Sequence, residues 1–255
     1  MKIVRFQAGR KTGYGVWDGK EIKGLAGTPY GKIAYTDRKY KLDDVRLLAP
    51  CLPSKIVAAG LNYRSHIEEV GARFTPANPI LVFKPPTAVI GPEDNIIYPD
   101  TSDHLDYEGE LALVMKSRAH RVPAEAVKDY ILGYTCLNDV TCRDHQRQDR
   151  QWTRSKAFDT FCPIGPCIET EIDPAHAQME TRRNGELKQQ ASTSDLLFPV
   201  PELVSFISFV MTLLPGDVIA TGTPEGISEL KVGDTIEVTI EGIGTLRNYV
   251  ARQPK

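Results

Sequence analysis

The stretch HLDYEGELALVM, residues 104–115, alternates as a strand does and sets Leu111, Leu113 and Met115 on one face. The other face carries Glu108 and Glu110, which lie about 7 Å apart at Cα in an extended chain. Neighbouring carboxylates repel, so that face must either be wet or meet a cation. Strand patterns also dominate the rest of the chain beyond residue 50, in PILVFKPP, AVIGP and YILGYTCLNDV. RRNGELKQ holds an Asn-Gly pair, the strongest short hairpin signal, and the C-terminal 36 or so residues alternate strands with glycine turns. Helical signals are confined to 65–70, roughly 123–129, and 201–214. In the last, Leu203, Ile207, Val210, Met211 and Leu214 form a core-facing stripe behind Pro201 and Glu202. The fold class this predicts is mostly β, of the α+β type.

Residues 1–50 read as short strands (KIVRF, YGVWDG, EIKGL), and Tyr40 to Pro53 reads as a connector, so two units are expected, 1–50 and 51–255. GYGVWDG resembles a dinucleotide fingerprint only superficially, because it lacks the GxGxxG spacing and no helical pattern follows. A chain of 255 residues with 41% hydrophobic and 25% charged residues has enough apolar material for a large core. Its net charge of −2 gives no reason to expect nucleic acid or a membrane surface as partner. Five cysteines without a CxxC pair predict a reduced, cytoplasmic protein. LVSFISFVMTLL, the longest apolar run, is too short to span a bilayer.

For the acidic pair, a hard divalent cation would turn repulsion into ligation, and a third carboxylate would complete a good oxygen site. Asp139, at the end of YILGYTCLN, is the best third candidate, with Asp106, of the same parity as the glutamates, as a competitor. Gly109 between the glutamates leaves room for another backbone to approach. Acidic residues lining a solvated strand face remain the ordinary alternative.

In NYRSHIEEVGAR, Ser65 and Glu68 have the spacing of a capping box, which predicts a helix starting at His66 and stopped by Gly71. His66 and Glu69 fall at i and i+3, on one side, where a carboxylate can orient an imidazole as general base. So short a helix, followed by the loop GARFTPANP, suits a lid over a bound ligand. The local sequence equally allows an exposed polar turn. Lys156 borders the apolar segment AF, where it can meet an anionic substrate or merely snorkel. The other basic residues of 143–154 read as a solvated face. TGTPEG, 221–226, offers two hydroxyls and turn amides for a carboxylate, or is a plain β-turn.

Taken together and in order, AAGLNYRSHIEE, LVFKPP, DYEGELALVM, LNDVTCRD, WTRSKAFDTFCPIGP and GDVIATGTPEG resemble the fumarylacetoacetate hydrolase family, from about residue 54 to the C-terminus. The resemblance implies a mixed β-roll or barrel-like catalytic domain, in homodimers, with residues 1–50 similar to the small N-terminal extension of some bacterial members. It implies Mg²⁺ or Mn²⁺ (Ca²⁺ can take its place in crystals) on Glu108, Glu110 and Asp139. It further implies a lid pair His66–Glu69, an active-site Lys156, and substrate contacts from Arg143, Gln146 and Thr223. Fumarylacetoacetase itself is longer and has a further aspartate ligand upstream, with no clear counterpart here, so another substrate is expected.

The leading expectation is cleavage of C–C bonds in acylpyruvate-like 2,4-diketo acids through a metal-stabilised enolate, with water activated by His66–Glu69. The same enolate serves an isomerase or decarboxylase of 2-hydroxyhepta-2,4-dienedioate or oxaloacetate-type dicarboxylates, which a second cation for the distal carboxylate would favour. A metal-stabilised scaffold that only binds a keto acid is the non-enzymatic alternative.

Overall fold

The computed structural model describes residues 1–72 and 74–253. Three sheets carry the chain. The largest has twelve strands, ten of them in the order Tyr35–Lys41, Glu21–Leu25, Lys11–Trp17, Lys2–Ala8, Cys162–Glu169, Ile131–Asn138, Gly109–Met115, Val218–Ala220, Ile56–Gly60 and Ile80–Lys84. The N-terminal strands therefore share one sheet with the later ones, through Lys2–Ala8 pairing antiparallel to Cys162–Glu169. A five-stranded sheet runs Glu186–Ser192, Gln178–Arg183, Thr235–Ile240, Gly244–Arg252 and Asn95–Tyr98, and a three-stranded one joins Leu105–Asp106 to Thr141–Cys142 and Glu229–Leu230. The chain is mostly β, as the strand patterns predict.

Gly109–Met115 is buried along its whole length. Leu111, Leu113 and Met115 pack with Val238 and Leu246 and with Leu203, Val204 and Ile207 of the helix Val200–Val210. Ala112 and Val114, on the opposite face, pack with Ile56, Ala58, Val218 and Ala220. A strand covered on both faces has no wet side, so Glu108 and Glu110, 5% and 1% exposed, must be answered by protein groups or a ligand. The wet-face alternative falls.

The Asn-Gly hairpin forms as expected: Asn184 and Gly185 have φ of 52° and 80°, the pair of positive values a two-residue turn requires. Two expectations are corrected. Within the supposed connector 40–53, Arg46–Leu48 is a strand that pairs with Lys2–Ala8, and Tyr35–Lys41 reaches past its start. The helix expected to run to 214 ends at Val210, leaving Val210 and Leu214 exposed. Leu213 instead exchanges backbone hydrogen bonds with Ala119, and Pro215 disfavours helix at the residue before it.

At Gly109 the twelve-stranded and five-stranded sheets come into close contact. A Cβ there would lie 2.1 Å from Thr181 Oγ1 and 3.1 Å from Gln189 Oε1, both on the five-stranded sheet. Gly109→Ala is expected to lower unfolding free energy by about 1–3 kcal/mol, the usual range for overpacking. Urea titration checks it, and Thr181→Ala in the same chain should recover part of the loss.

Candidate metal centre and active site

Strand register builds the centre. Gly109 pairs with Asn138 and Glu110 with Leu137, so the residues just outside that pairing, Glu108 and Asp139, are brought together. Asp139 N–H donates to Glu108 O at 2.8 Å, and the Asn138 side-chain oxygen accepts from Glu108 N–H at 2.9 Å. The carboxylates of Glu108, Glu110 and Asp139 offer oxygens within 4.8 Å of one another, all buried. They sit in the wall of a cavity of about 260 Å³ that His66, Arg143, Gln146, Lys156 and Thr223 also line. Asp106, the competing third acid, belongs elsewhere: it accepts from Arg143 Nε at 2.7 Å and lies 2.9 Å from His104 Nε2.

Cations answer two of the three acids. Lys156 Nζ donates to Glu108 Oε2 at 2.8 Å, Asp139 Oδ2 at 2.7 Å and Thr141 Oγ1 at 2.8 Å. Arg143 donates to the other oxygen of Glu108, and Lys84 to the other oxygen of Asp139. Burial opposes the charge of Glu108, but Lys156 and Arg143 outweigh it and hold the carboxyl well below the usual range. Burial also opposes the charge of Lys156, and Asp139 and Glu108 outweigh it to keep the ammonium above the ordinary lysine range. Glu110 is the exception. Among the described residues it receives no side-chain donor, only the Gly222 N–H at 2.7 Å. Burial and the charges of Asp139 and Glu108 push its carboxyl well up. A buried carboxylate beside two others, without a cationic partner of its own, fits a hard divalent ion in its donor set and its excess negative potential.

The helix Arg64–Glu69 covers the cavity from one side. It starts two residues earlier than the capping box predicts and takes no side-chain cap. Ser65 Oγ instead accepts from Glu225 N–H at 3.4 Å, because the chain enters the helix from Tyr63, whose backbone pairs with Leu196. Gly71, with φ 63°, does end the turn. His66 Nδ1 lies 3.0 Å from Glu69 Oε2, while Glu69 Oε1 accepts from Gly226 N–H at 2.8 Å. With Nδ1–H given to the carboxylate, Nε2 keeps the lone pair. Arg143 and Gln146 lie one helical turn apart on Arg143–Gln148 and are joined by Nη1 donating to Oε1 at 2.7 Å. The solvated face expected for the basic run holds for exposed Arg154, whose partner is Asp149, and fails for buried Arg143.

The sequence model described as "Fumarylacetoacetate (FAA) hydrolase C-terminal" matches residues 55–251, most of the chain. The chain belongs to the fumarylacetoacetate hydrolase family. Residues 1–50 match a second description, "Rv2993c-like, N-terminal". Family members with solved structures include a 5-carboxymethyl-2-hydroxymuconate delta-isomerase of Mycobacterium smegmatis, 44% identical, TM-score 0.94, over 99% of this chain and 100% of that one. A maleylpyruvate hydrolase of Sphingobium sp. SYK-6, in complex with manganese(II) and pyruvate, is 31% identical with TM-score 0.82, covering 100% of each chain. Oxaloacetate tautomerase YisK of Bacillus subtilis is 42% identical over 83% of this chain and 75% of its own. This fumarylacetoacetate hydrolase-family chain is thus related to both isomerising and hydrolysing enzymes.

Residue-level reading passed over two charged groups at the site. Lys84 closes the apolar strand Ile80–Lys84 and is fully buried; a lysine ending the run ILVF was the available signal. Arg147 lines the cavity one turn after Arg143 and, among the described residues, makes no ion pair. Nothing in its local sequence separates it from the other basic residues of that run.

Proposed function

We propose that this chain moves a proton on the carbon beside the keto group of a small 2-oxo dicarboxylate, as a tautomerase or isomerase. The observation that carries this reading is Arg147. Arg143 and Lys156 are committed to carboxylates of the protein, whereas Arg147, exposed where it lines the same cavity, makes no ion pair among the described residues. A second carboxylate on the substrate would give that guanidinium a bidentate partner. Glu108, Glu110 and Asp139 would hold Mg²⁺ or Mn²⁺, which when bound polarises the keto oxygen and acidifies the neighbouring C–H. His66, held by Glu69 in the tautomer with Nε2 free, takes the proton and returns it at the new position. Lys156 supplies positive charge beside the oxygen on which negative charge develops. Relatives of 42–44% identity whose names state a reaction include a tautomerase and two isomerases, which supports the same choice.

Hydrolysis of acylpyruvates is the second reading. It is favoured by the same His66–Glu69 pair, which can equally deprotonate a water, and by the likeness to a maleylpyruvate hydrolase. A panel of oxaloacetate, 2-hydroxyhepta-2,4-dienedioate and acetylpyruvate, assayed with Mn²⁺, separates the two. Proton exchange on the dicarboxylates faster than any cleavage is expected. Splitting of acetylpyruvate to pyruvate and acetate, with both dicarboxylates inert, overturns the proposal. Arg147→Gln should reduce kcat/KM for the dicarboxylates about tenfold, the low end for losing a charged hydrogen bond, and leave acetylpyruvate unaffected.

A further inference from the structure

We infer that Gln189 is a positioning residue, which fixes the substrate-side loop 223–226 against the strand that bears the acidic centre. The inference rests on the keto-acid reading above for what that loop contacts. Gln189 lies on Glu186–Ser192 of the five-stranded sheet, does not line the cavity, and is 1% exposed. Its carboxamide uses both ends. Oε1 accepts from Gly109 N–H at 3.0 Å, at the residue between Glu108 and Glu110. Nε2 donates to Thr223 Oγ1 at 2.8 Å, to Pro224 O at 3.0 Å and, more weakly, to Glu225 O at 3.4 Å. Thr223 Oγ1 in turn donates to Gly109 O at 2.9 Å. One side chain from another sheet thus ties the Gly109 N–H to the hydroxyl that lines the cavity, and that hydroxyl holds the Gly109 carbonyl.

This arrangement sets what Thr223 can do. The Gln189 N–H occupies one lone pair of the hydroxyl, which leaves its hydrogen a choice between the Gly109 carbonyl and a ligand oxygen. Binding of a ligand carboxylate then exchanges one acceptor for another, and the hydroxyl need not be desolvated or reoriented from a free rotor. The tie reaches further. Gly226 N–H, at the end of the loop that Gln189 holds, is the donor that catches Glu69 Oε1 of the helix Arg64–Glu69. A loop out of place would loosen both the substrate hydroxyl and the docking of the helix that carries His66.

The test compares Gln189→Met, which keeps the volume and removes every hydrogen bond, in the wild-type and Thr223→Val backgrounds. Oxalate binding to the Mn²⁺-loaded protein, read by calorimetry, should weaken about tenfold on Gln189→Met in the wild type and less than about threefold in Thr223→Val, since the residue acts through that hydroxyl. Mn²⁺ affinity itself, read by electron paramagnetic resonance, should fall by less than the roughly tenfold or more that losing a partner of a metal-holding side chain costs, since Gln189 bonds none of the three acids. Without any ligand, amide exchange over 222–228 should speed up at least about fivefold while 131–138 stays unchanged. Equal oxalate losses in both backgrounds, or unaltered exchange over 222–228, overturn the role. If oxalate fails to bind the wild type, the keto-acid reading falls and the exchange measurement still decides Gln189. Should Gln189→Met not fold, Gln189→Glu, which keeps an acceptor for Gly109 N–H and loses the donors, gives the same comparisons.

Discussion

Lys156→Met is expected to lower kcat by about 10²–10³-fold, the usual consequence of deleting one preorganised electrostatic contact to a developing charge. Mn²⁺ binding should survive, and that separation is the informative part. The Lys156 ammonium sits between Glu108 and Asp139, two of the three acids that would hold a divalent ion, so it would compete with the ion for them as well as balance them. Removing it leaves two buried carboxylates with one cationic partner each, Arg143 and Lys84, and a stronger demand for a positive ion. Added Mn²⁺ should therefore raise the melting temperature of Lys156→Met by more than it raises that of the wild type. For scale, an ion at 100 times its Kd stabilises by about 2.7 kcal/mol. Turnover with the best substrate of the panel, Mn²⁺ titration and thermal unfolding measure all three quantities. Parallel loss of ion binding and turnover would reduce Lys156 to part of the scaffold.

Much of this centre was legible because it depends on periodicity. Glu108 and Glu110 share a face by the two-residue repeat of a strand, Asp139 follows the end of the partner strand, and the space that Gly109 leaves between them is filled by the side chains of Thr181 and Gln189, not by the backbone that the glycine predicts. His66 and Glu69 meet by helical spacing alone, whatever the helix start. What stayed hidden depends on register and long-range pairing. Lys84 reaches Asp139 because Ile80–Lys84 pairs antiparallel with Ile56–Gly60, setting Lys84 opposite Ile56. Asp106 shares the parity of the glutamates, yet the strand breaks at 107–108, and its carboxylate turns to Arg143. Gln189 sits in a polar, alternating hairpin strand, where no local pattern marks it as buried. The strand Tyr35–Lys41 was missed for the opposite reason: it is an edge strand, mostly exposed, and so carries no apolar alternation.

Lys84→Met should destabilise the fold by up to about 3–5 kcal/mol, the ceiling set by a wholly unpaired buried charge, since Lys156 stays on the other oxygen of Asp139. The Lys84 side chain is 0% and the Asp139 side chain 2% exposed, so water cannot take over the solvation of either. At 2–4 °C per kcal/mol for a chain of this size, the midpoint should fall by on the order of 10 °C. The hydrophobic length of methionine replaces the lysine stem, so the loss measures the charge and not a cavity. Adding Asp139→Asn should restore more than half of the lost stability, because the under-compensated negative charge leaves with it while Lys156 keeps Glu108 and Thr141. Mn²⁺ distinguishes the two chains. In Lys84→Met the Asp139 carboxylate, left with Lys156 as its one cationic partner, is an added reason to bind the ion, so Mn²⁺ should recover part of the midpoint; in the double variant, where that carboxylate is gone, it should recover little. A neutral Lys84→Met would mean that Asp139 is held by Lys156 alone, and that the strand Ile80–Lys84 meets the acidic centre without supporting it.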